Sequence, residues 1–354
     1  MTMRIGYVGL GHSHRSGYLD TLDQLSVAVT AAADPDDPDR YADEVDVPVY
    51  REPSTMFANE SLDAVWVTLS NRDTPAVVRT AVDRGLDVFA EKSLGRTTAD
   101  VEPLVGAVED AGVTVGVGYI RRAMPVFEAL RDRRRADWFG SIRAFEARFI
   151  KNTLRDRLAS AGQPNYLYTS ADARGGILQW LGCHYLDLVP WILDDPIVRV
   201  QARTDHGEPA ADTEDAAIVQ LETAGGTIGT LHCGYYLRSS ASTVGDRAAG
   251  PVAPPLQLYG MDGQAVVTPD ERAIRLGGVA APAAPEGRVT FDPPDVPGYG
   301  GAAGLEYVRS FLAACRGDAP DRLATLADEL RVLRVLDAAY ESAETGRWVD
   351  VAGT

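Results

Sequence analysis

The sequence predicts an α/β chain: an N-terminal doubly wound parallel sheet over residues 1–120, then an α+β domain over 121–354 built on a large, mostly antiparallel sheet. Three observations carry this. Short apolar runs alternate with helical stretches as far as Gly118. A glycine-rich turn follows the first of those runs at once. Beyond Gly118 the runs alternate polar with apolar residues, as strands with one solvated face do. A chain of 354 residues is long enough for two domains with separate cores.

The elements follow in order. Arg4-Ile-Gly-Tyr-Val8 is a compact apolar strand, and Gly9-Leu-Gly11 is the turn after it. A helix carrying Tyr18, Leu19, Leu22 and Leu25 leads to a second strand, 27–33, which ends at Asp34. Strand, glycine turn, helix, strand and carboxylate in this order form a Rossmann-type dinucleotide unit. Gly9 and Gly11 let the backbone approach a pyrophosphate at the helix start, and Asp34 can accept hydrogen bonds from the ribose hydroxyls. The third glycine of that pattern is His14 here, so the helix is expected to stand further from the sheet. His12 and Ser13 are candidates to contact phosphate or nicotinamide; the competing reading is ordinary polarity at a helix start, where serine caps well. Asp34 is followed by Pro35, Asp36 and Asp37, with no arginine before Arg40. A ribose phosphate would meet carboxylates there, which favours NAD over NADP.

Residues 62–69 read as a buried strand with its turn at 70–75, and 76–84 as a helix. A strand from Asp87 ends in Glu91-Lys92, 98–111 is helical, and 113–118 is another strand. Ligands of such sheets bind at the carboxyl ends of the strands. Gly9, Asp34, Ser70, Asn71, Glu91 and Lys92 all fall there, so one crevice can collect them. The chain has two lysines against 32 arginines. A guanidinium stays protonated at any working pH, whereas an amine can be tuned to give and take a proton. Lys92 is therefore a candidate proton-handling group, the alternative being a lysine that caps a strand end.

In the second half, strands are expected at 142–150, 197–204, 215–222, 227–236, 256–259 and 264–268, with a helix over 174–194. The segments 239–255 and 280–303, rich in Gly, Ala, Pro and Ser, read as mobile loops. A last helix, 322–345, presents Leu323, Leu326, Leu330, Leu333 and Leu336 as core. No internal repeat is visible.

Composition bounds the partners. The formal charge is −17, which disfavours nucleic acid and anionic membranes. Acidity combined with arginine-for-lysine usage points to a high-salt cytoplasm ahead of a GC-rich genome. Cys183, Cys233 and Cys315 lack metal-ligand spacing and read as reduced, mostly buried thiols. With no signal peptide or long apolar span, a soluble cytoplasmic protein is expected.

Taken together, Val8-Gly-Leu-Gly11, Ala33-Asp34, Asp63-Ala-Val with Asn71, Glu91-Lys92, Gly118 with Arg121-Arg122 and Pro125, Gly175-Gly176, Gly182-Cys-His184, Asp187 and the stretch 338–348 resemble the glucose–fructose oxidoreductase/inositol dehydrogenase (Gfo/Idh/MocA) family over essentially the whole chain. The resemblance implies oxidation of a sugar, polyol or cyclitol hydroxyl, or the reverse reduction, with NAD or NADP and no metal. It also implies a homodimer or homotetramer formed through the open sheet of the second domain. Lys92 matches the lysine of the family's Glu-Lys-Pro motif, which hydrogen-bonds the reacting oxygen, although Ser93 replaces the proline. His184 matches the family's acid–base histidine, against the plain reading of a satisfied helix histidine. Asp187, three residues on, would share its face and orient it or bind a substrate hydroxyl. Many relatives carry an aspartate where this chain has Trp180. An indole takes no proton, but it can stack on a sugar or shape the pocket. Arg121 is a substrate-binding candidate by position. Tyr235 and Tyr236 either line the pocket or are ordinary packing and surface tyrosines. Two alternatives stand beside a dehydrogenase: a non-catalytic NAD- or sugar-binding sensor, and an NAD-recycling glycosidase or lyase.

Overall fold

The computed structural model describes residues 2–159, 165–209, 211–237, 253–278 and 287–353. Two sheets organise them. The first has seven strands in the order Ala324–Thr325, Val115–Val117, Asp87–Ala90, Ala64–Val67, Met3–Val8, Val27–Ala33 and Val49–Tyr50. All its pairings are parallel except that of Ala324–Thr325, which returns from the C-terminal half and runs antiparallel to Val115–Val117. Side chains alternate across this sheet. Tyr7, Trp66 and Phe89 pack on one face with Tyr18 and Phe311, and Trp66 stacks on Phe89 with ring centroids 3.8 Å apart. Val8, Val65, Val67, Val88 and Ala90 face the other core. Both faces are buried, so these strands read as continuous apolar runs.

The second sheet has nine strands among the described residues, in the order Gly287–Thr290, Ala273–Gly278, Gly263–Val267, Leu256–Gly260, Ile142–Asn152, Ile228–Leu237, Ala216–Thr223, Ile197–Asp205 and Val349–Asp350. Only Ile142–Asn152 with Ile228–Leu237 is parallel. The expected strands are all present within two residues at each end. Those at 273–278 and 287–290, the helix Gly301–Ala314 and the short strands at 49–50, 324–325 and 349–350 were not expected. The expected loop 280–303 is therefore shorter: part lies outside the described residues, and the rest is a strand, a run to Gly300 and a helix start. The expected loop 239–255 falls largely outside them. Pro103 divides the expected helix 98–111 into Thr98–Val101 and Leu104–Ala111.

The last helix, Leu326–Thr345, starts on a capping box between Thr325 and Asp328 and ends at Gly346 in the left-handed region. It lies against both halves. Leu330, Leu333 and Leu336 are core, Ser342 accommodates the strand Ile197–Asp205, and Glu329 and Asp337 accept from the backbone of Leu94 and Thr98.

Candidate active site

The site is assembled from strand ends. Gly9, at φ +95°, follows Met3–Val8; a Cβ there would stand 2.4 Å from the Thr68 carbonyl oxygen, so only glycine fits. Asp34, at the end of Val27–Ala33, is buried and ties this loop: one carboxylate oxygen accepts from Gly11 N (3.1 Å), the other from Asp36 N and Asp37 N. The helix begins at Arg15, with His14 in the cap position, so Ser13 does not cap it. His14 instead turns across the crevice. Its Nδ1 lies 2.7 Å from Glu91 Oε1 and its ring stacks on Tyr299 at 3.9 Å. One turn later, Gly17 lets the Tyr299 backbone pass close to this helix, with Tyr299 N donating to the Gly17 carbonyl at 2.9 Å.

Ser70 and Asn71, beyond Ala64–Val67, are buried. Ser70 Oγ donates to Asp73, and Asn71 Nδ2 reaches the Ala173 carbonyl of the second half. Glu91 and Lys92 follow Asp87–Ala90. Burial would raise the Glu91 carboxyl, but the hydrogen bond and charge interaction with His14, and then the charge of Lys92, bring it down to about 2. His12 is held neutral: burial, then the charge of His14, lowers its imidazole to about 3, and its Nε2 has no hydrogen-bond partner. His12, His14 and Glu91 place potential ligand atoms within 4.8 Å of one another. Their hydrogen bonds hold the glycine loop to the lysine-bearing strand.

Lys92 is 2 % exposed. Its Nζ donates to the Trp180 carbonyl at 2.7 Å and lies 3.5 Å from the centroid of the Trp180 ring. One face of the indole is thus a cation seat. The Lys92–Ser93 peptide is cis. Trp180 sits in a π-helical turn, Leu178–Gly182, which runs into the helix Cys183–Leu193. Glu214 anchors the start of that segment by accepting from Gly176 N (2.6 Å) and Leu178 N (2.9 Å), a carboxylate at the positive end of a helix. A Cβ on Gly176 would meet the Glu214 carbonyl oxygen at 1.8 Å.

His184, on this helix, is buried and its Nδ1 has no hydrogen-bond partner. Burial, then positive charge on Lys92, Arg121, His14 and Lys151, holds its imidazole well below the ordinary range. It is a neutral base at physiological pH. Lys92, His184, Trp180, Arg121, Ser13 and His14 line one cavity of about 360 Å³. A larger groove, about 1200 Å³, lies between Leu104–Ala111 and Leu326–Thr345 and contains neither Lys92 nor His184.

Three expected site residues lie elsewhere. Asp187 turns from His184 into that groove, where it accepts from Arg122 Nε at 2.9 Å and again from Nη2. The expectation that it orients His184 is corrected: a buried guanidinium one layer deeper claims both its oxygens. Tyr235 is packed in the core and Tyr236 is 46 % exposed on the opposite face, since neighbours in a strand point apart. Neither is among the described residues lining the cavity. Sequence reasoning missed His14, Lys151, Phe149, Met124 and Tyr299, which do line it. Lys151, as the second of two lysines, carried a usable signal; Tyr299 sat in a segment read as loop.

It also missed Glu329. This carboxyl is fully buried, accepts from Leu94 N (2.8 Å) and Tyr119 Oη (2.7 Å), and is pushed up to about 7 by burial. Its unfolded value is 4.5. The folded state keeps the proton longer, so stability is full below that value and is lost as pH rises through about 7. Glu329→Gln, which stays uncharged, will lose less melting temperature than the parent between pH 5 and pH 8. Equal losses in both proteins would show that Glu329 does not carry this dependence.

A glycine loop at one strand end, a carboxylate at the next and a lysine–histidine pair across the sheet edge define a nicotinamide-dinucleotide oxidoreductase. Residues 3–119 match the oxidoreductase family with an NAD-binding Rossmann fold, and residues 127–266 match the GFO/IDH/MocA C-terminal domain. The chain belongs to the Gfo/Idh/MocA family. It is 27 % identical over 320 residues to D-xylose 1-dehydrogenase (NADP(+)) 2 of Haloferax volcanii, covering 88 % of this chain and 87 % of that protein. It is 26 % identical over 310 residues to D-apiose dehydrogenase of Paraburkholderia graminis, covering 86 % and 76 %. Among solved structures, levoglucosan dehydrogenase in complex with NADH and levoglucosan superposes with a TM-score of 0.81 at 18 % identity, with complete coverage of both chains. An oxidoreductase domain protein from Kribbella flavida gives 0.80 at 20 % identity, covering 99 % of this chain and 100 % of that one. Among the described residues no helix is long and apolar enough to cross a membrane.

Proposed function

We propose that the protein is a dehydrogenase of sugars, polyols or cyclitols, with His184 as the general base and Lys92 as the cation that receives the developing alkoxide. The observation carrying this is one cavity holding both: a neutral imidazole with an open nitrogen and a buried ammonium. The donor set fits a dinucleotide, because a turn with glycine at positions 9 and 11 follows the first strand and buried Asp34 stands at the next strand end. Gly9, Gly11, His12, Ser13, Ser70, Asn71 and Glu91 would hold that cofactor, which supplies the hydride acceptor when bound. His184 takes the hydroxyl proton; Lys92, fixed by the Trp180 carbonyl and indole, stabilises the negative charge left on oxygen. His184 is unprotonated and so ready to accept the hydroxyl proton, and the apolar wall of Phe149 and Leu181 keeps water from the charge on oxygen.

Asp34, Asp36 and Asp37 favour NAD. Arg51, which donates to the carbonyls of Pro35 (3.2 Å) and Asp36 (3.4 Å), is a cation on this loop and favours NADP. The loop carboxylates outnumber it, so NAD is expected to bind at least about tenfold more tightly. Titration of the apoenzyme with each dinucleotide measures this, and tighter NADP binding reverses the assignment. We infer a soluble cytoplasmic homo-oligomer, and the charge of −17 suits solubility at high ionic strength. The function itself is tested by following reduced dinucleotide over a panel of aldoses, polyols and cyclitols in molar potassium chloride. Turnover on any member establishes the dehydrogenase. Tight dinucleotide binding with no turnover on the panel moves the reading to a sensor or a cofactor-recycling lyase.

A further inference from the structure

We propose that the substrate is a sugar-sized anion, an aldonate or uronate or another sugar bearing a negative group, bound at a cluster of cations on the cavity wall. The inference deepens the dehydrogenase reading and rests on it for the location of the site. Both lysines of the chain, Lys92 and Lys151, line this one cavity, together with Arg121. His14, His184 and Tyr299 complete its charged and titratable lining among the described residues. The chain carries 51 acidic residues, yet none is among the described residues that line the cavity. Two carboxylates stand behind the wall. Glu91 is engaged by His14 Nδ1 and by Lys92 N, and Glu271 by Arg121 Nη1 at 2.6 Å. They position the cations and present no face to the cavity.

Hydrogen-bond chemistry argues the same way. Lysine and arginine only donate, and every hydroxyl of a neutral polyol has an O–H donor to place as well as lone pairs to offer. A wall rich in donors leaves the O–H groups of such a ligand short of acceptors, whereas a carboxylate offers acceptors alone. Phe149, Met124, Trp180 and Leu181 supply the apolar remainder, suited to the CH faces of a carbon chain. Lys151, at the end of Ile142–Asn152, is exposed, and its ammonium lies 5.3 Å from the centroid of the Phe149 ring. A flexible stem ending in a compact charge there can reach an arriving anion over a range of positions.

The test is calorimetric titration of the dinucleotide-loaded enzyme with matched pairs: D-gluconate against D-glucitol, D-glucuronate against D-glucose, and D-galacturonate against D-galactose. D-glucose 6-phosphate is a further arm. The expected result is an acid that binds at least about tenfold more tightly than its neutral partner. Lys151→Met should cut that ratio to below about threefold, and Lys151→Arg should restore part of it. Tighter binding of the phosphate than of any acid would identify the negative group as a phosphate and keep the cationic wall. Neutral partners binding as well as the acids, no acid binding at all, or a ratio unmoved in Lys151→Met would overturn the proposal. Turnover is read separately. Neutral sugars oxidised without acid preference leave the dehydrogenase standing and remove the anion; an acid bound but never oxidised does the reverse.

Discussion

Lys92→Met will lose at least about a hundredfold in kcat while its affinity for the dinucleotide stays within about threefold. Methionine matches the length of the stem and keeps its contact with the indole, so the change removes charge and proton donors with little change in volume. The ammonium sits on the Trp180 ring at 3.5 Å and donates to its carbonyl, which fixes it to the turn before His184. A cation so placed lowers the cost of an alkoxide forming beside it, and the effect is largest where water is excluded. Without it, His184 must deprotonate an ordinary alcohol unaided. Stopped-flow or steady-state turnover with parallel dinucleotide titration separates the two effects. If kcat survives, Lys92 is a structural tether for the Trp180 turn. Trp180→Ala tests the same arrangement from the other side: it frees Lys92 from the ring, and the loss should fall in kcat more than in KM.

The parallel sheet was the most legible part of the molecule, and for a physical reason. Its strands are buried on both faces and bounded by turns, so 3–8, 27–33, 64–67, 87–90 and 115–117 stand out as apolar runs. The two-residue strands at 49–50, 324–325 and 349–350 carry no periodicity, because register with a distant neighbour defines them and local sequence does not. The site was legible in the same degree. Gly9, Asp34 and Lys92 follow from strand ends, and His184 from the family resemblance. Tyr299, Glu214 and Glu329 reach the active crevice, or the segments that build it, from remote parts of the chain, and nothing in their own neighbourhoods marks them. Asp187 was misread because i,i+3 spacing places two side chains on the same side of a helix without fixing which neighbour each meets. Trp180 was read as stacking on a sugar or shaping the pocket; it lines the cavity, and one of its faces holds the lysine.

Asp187→Ala is the stability counterpart of Lys92→Met. Asp187 and Arg122 are both buried, and their pair is bidentate. Burial pushes the Asp187 carboxyl up to about 6 against the pull of Arg122, which leaves it ionised at pH 7. Burial also works against the Arg122 charge, but Asp187 and Asp328, the latter at 3.0 Å, hold it protonated. Removing Asp187 leaves that guanidinium in the interior with half its carboxylate partners. Breaking such a pair from one side costs about 3 kcal/mol or more, and with Asp328 still present the lower figure applies. For a chain of this size that corresponds to a melting temperature lower by about 4 °C. Arg122 joins the turn after Val115–Val117 to the helix of His184 and to the cap of the last helix, so the loss should loosen all three together. The carboxylate makes no contact with the catalytic cavity. Well below the melting transition, the pH dependence of kcat should therefore match that of the parent, and a shifted acidic limb would return Asp187 to the role of orienting His184.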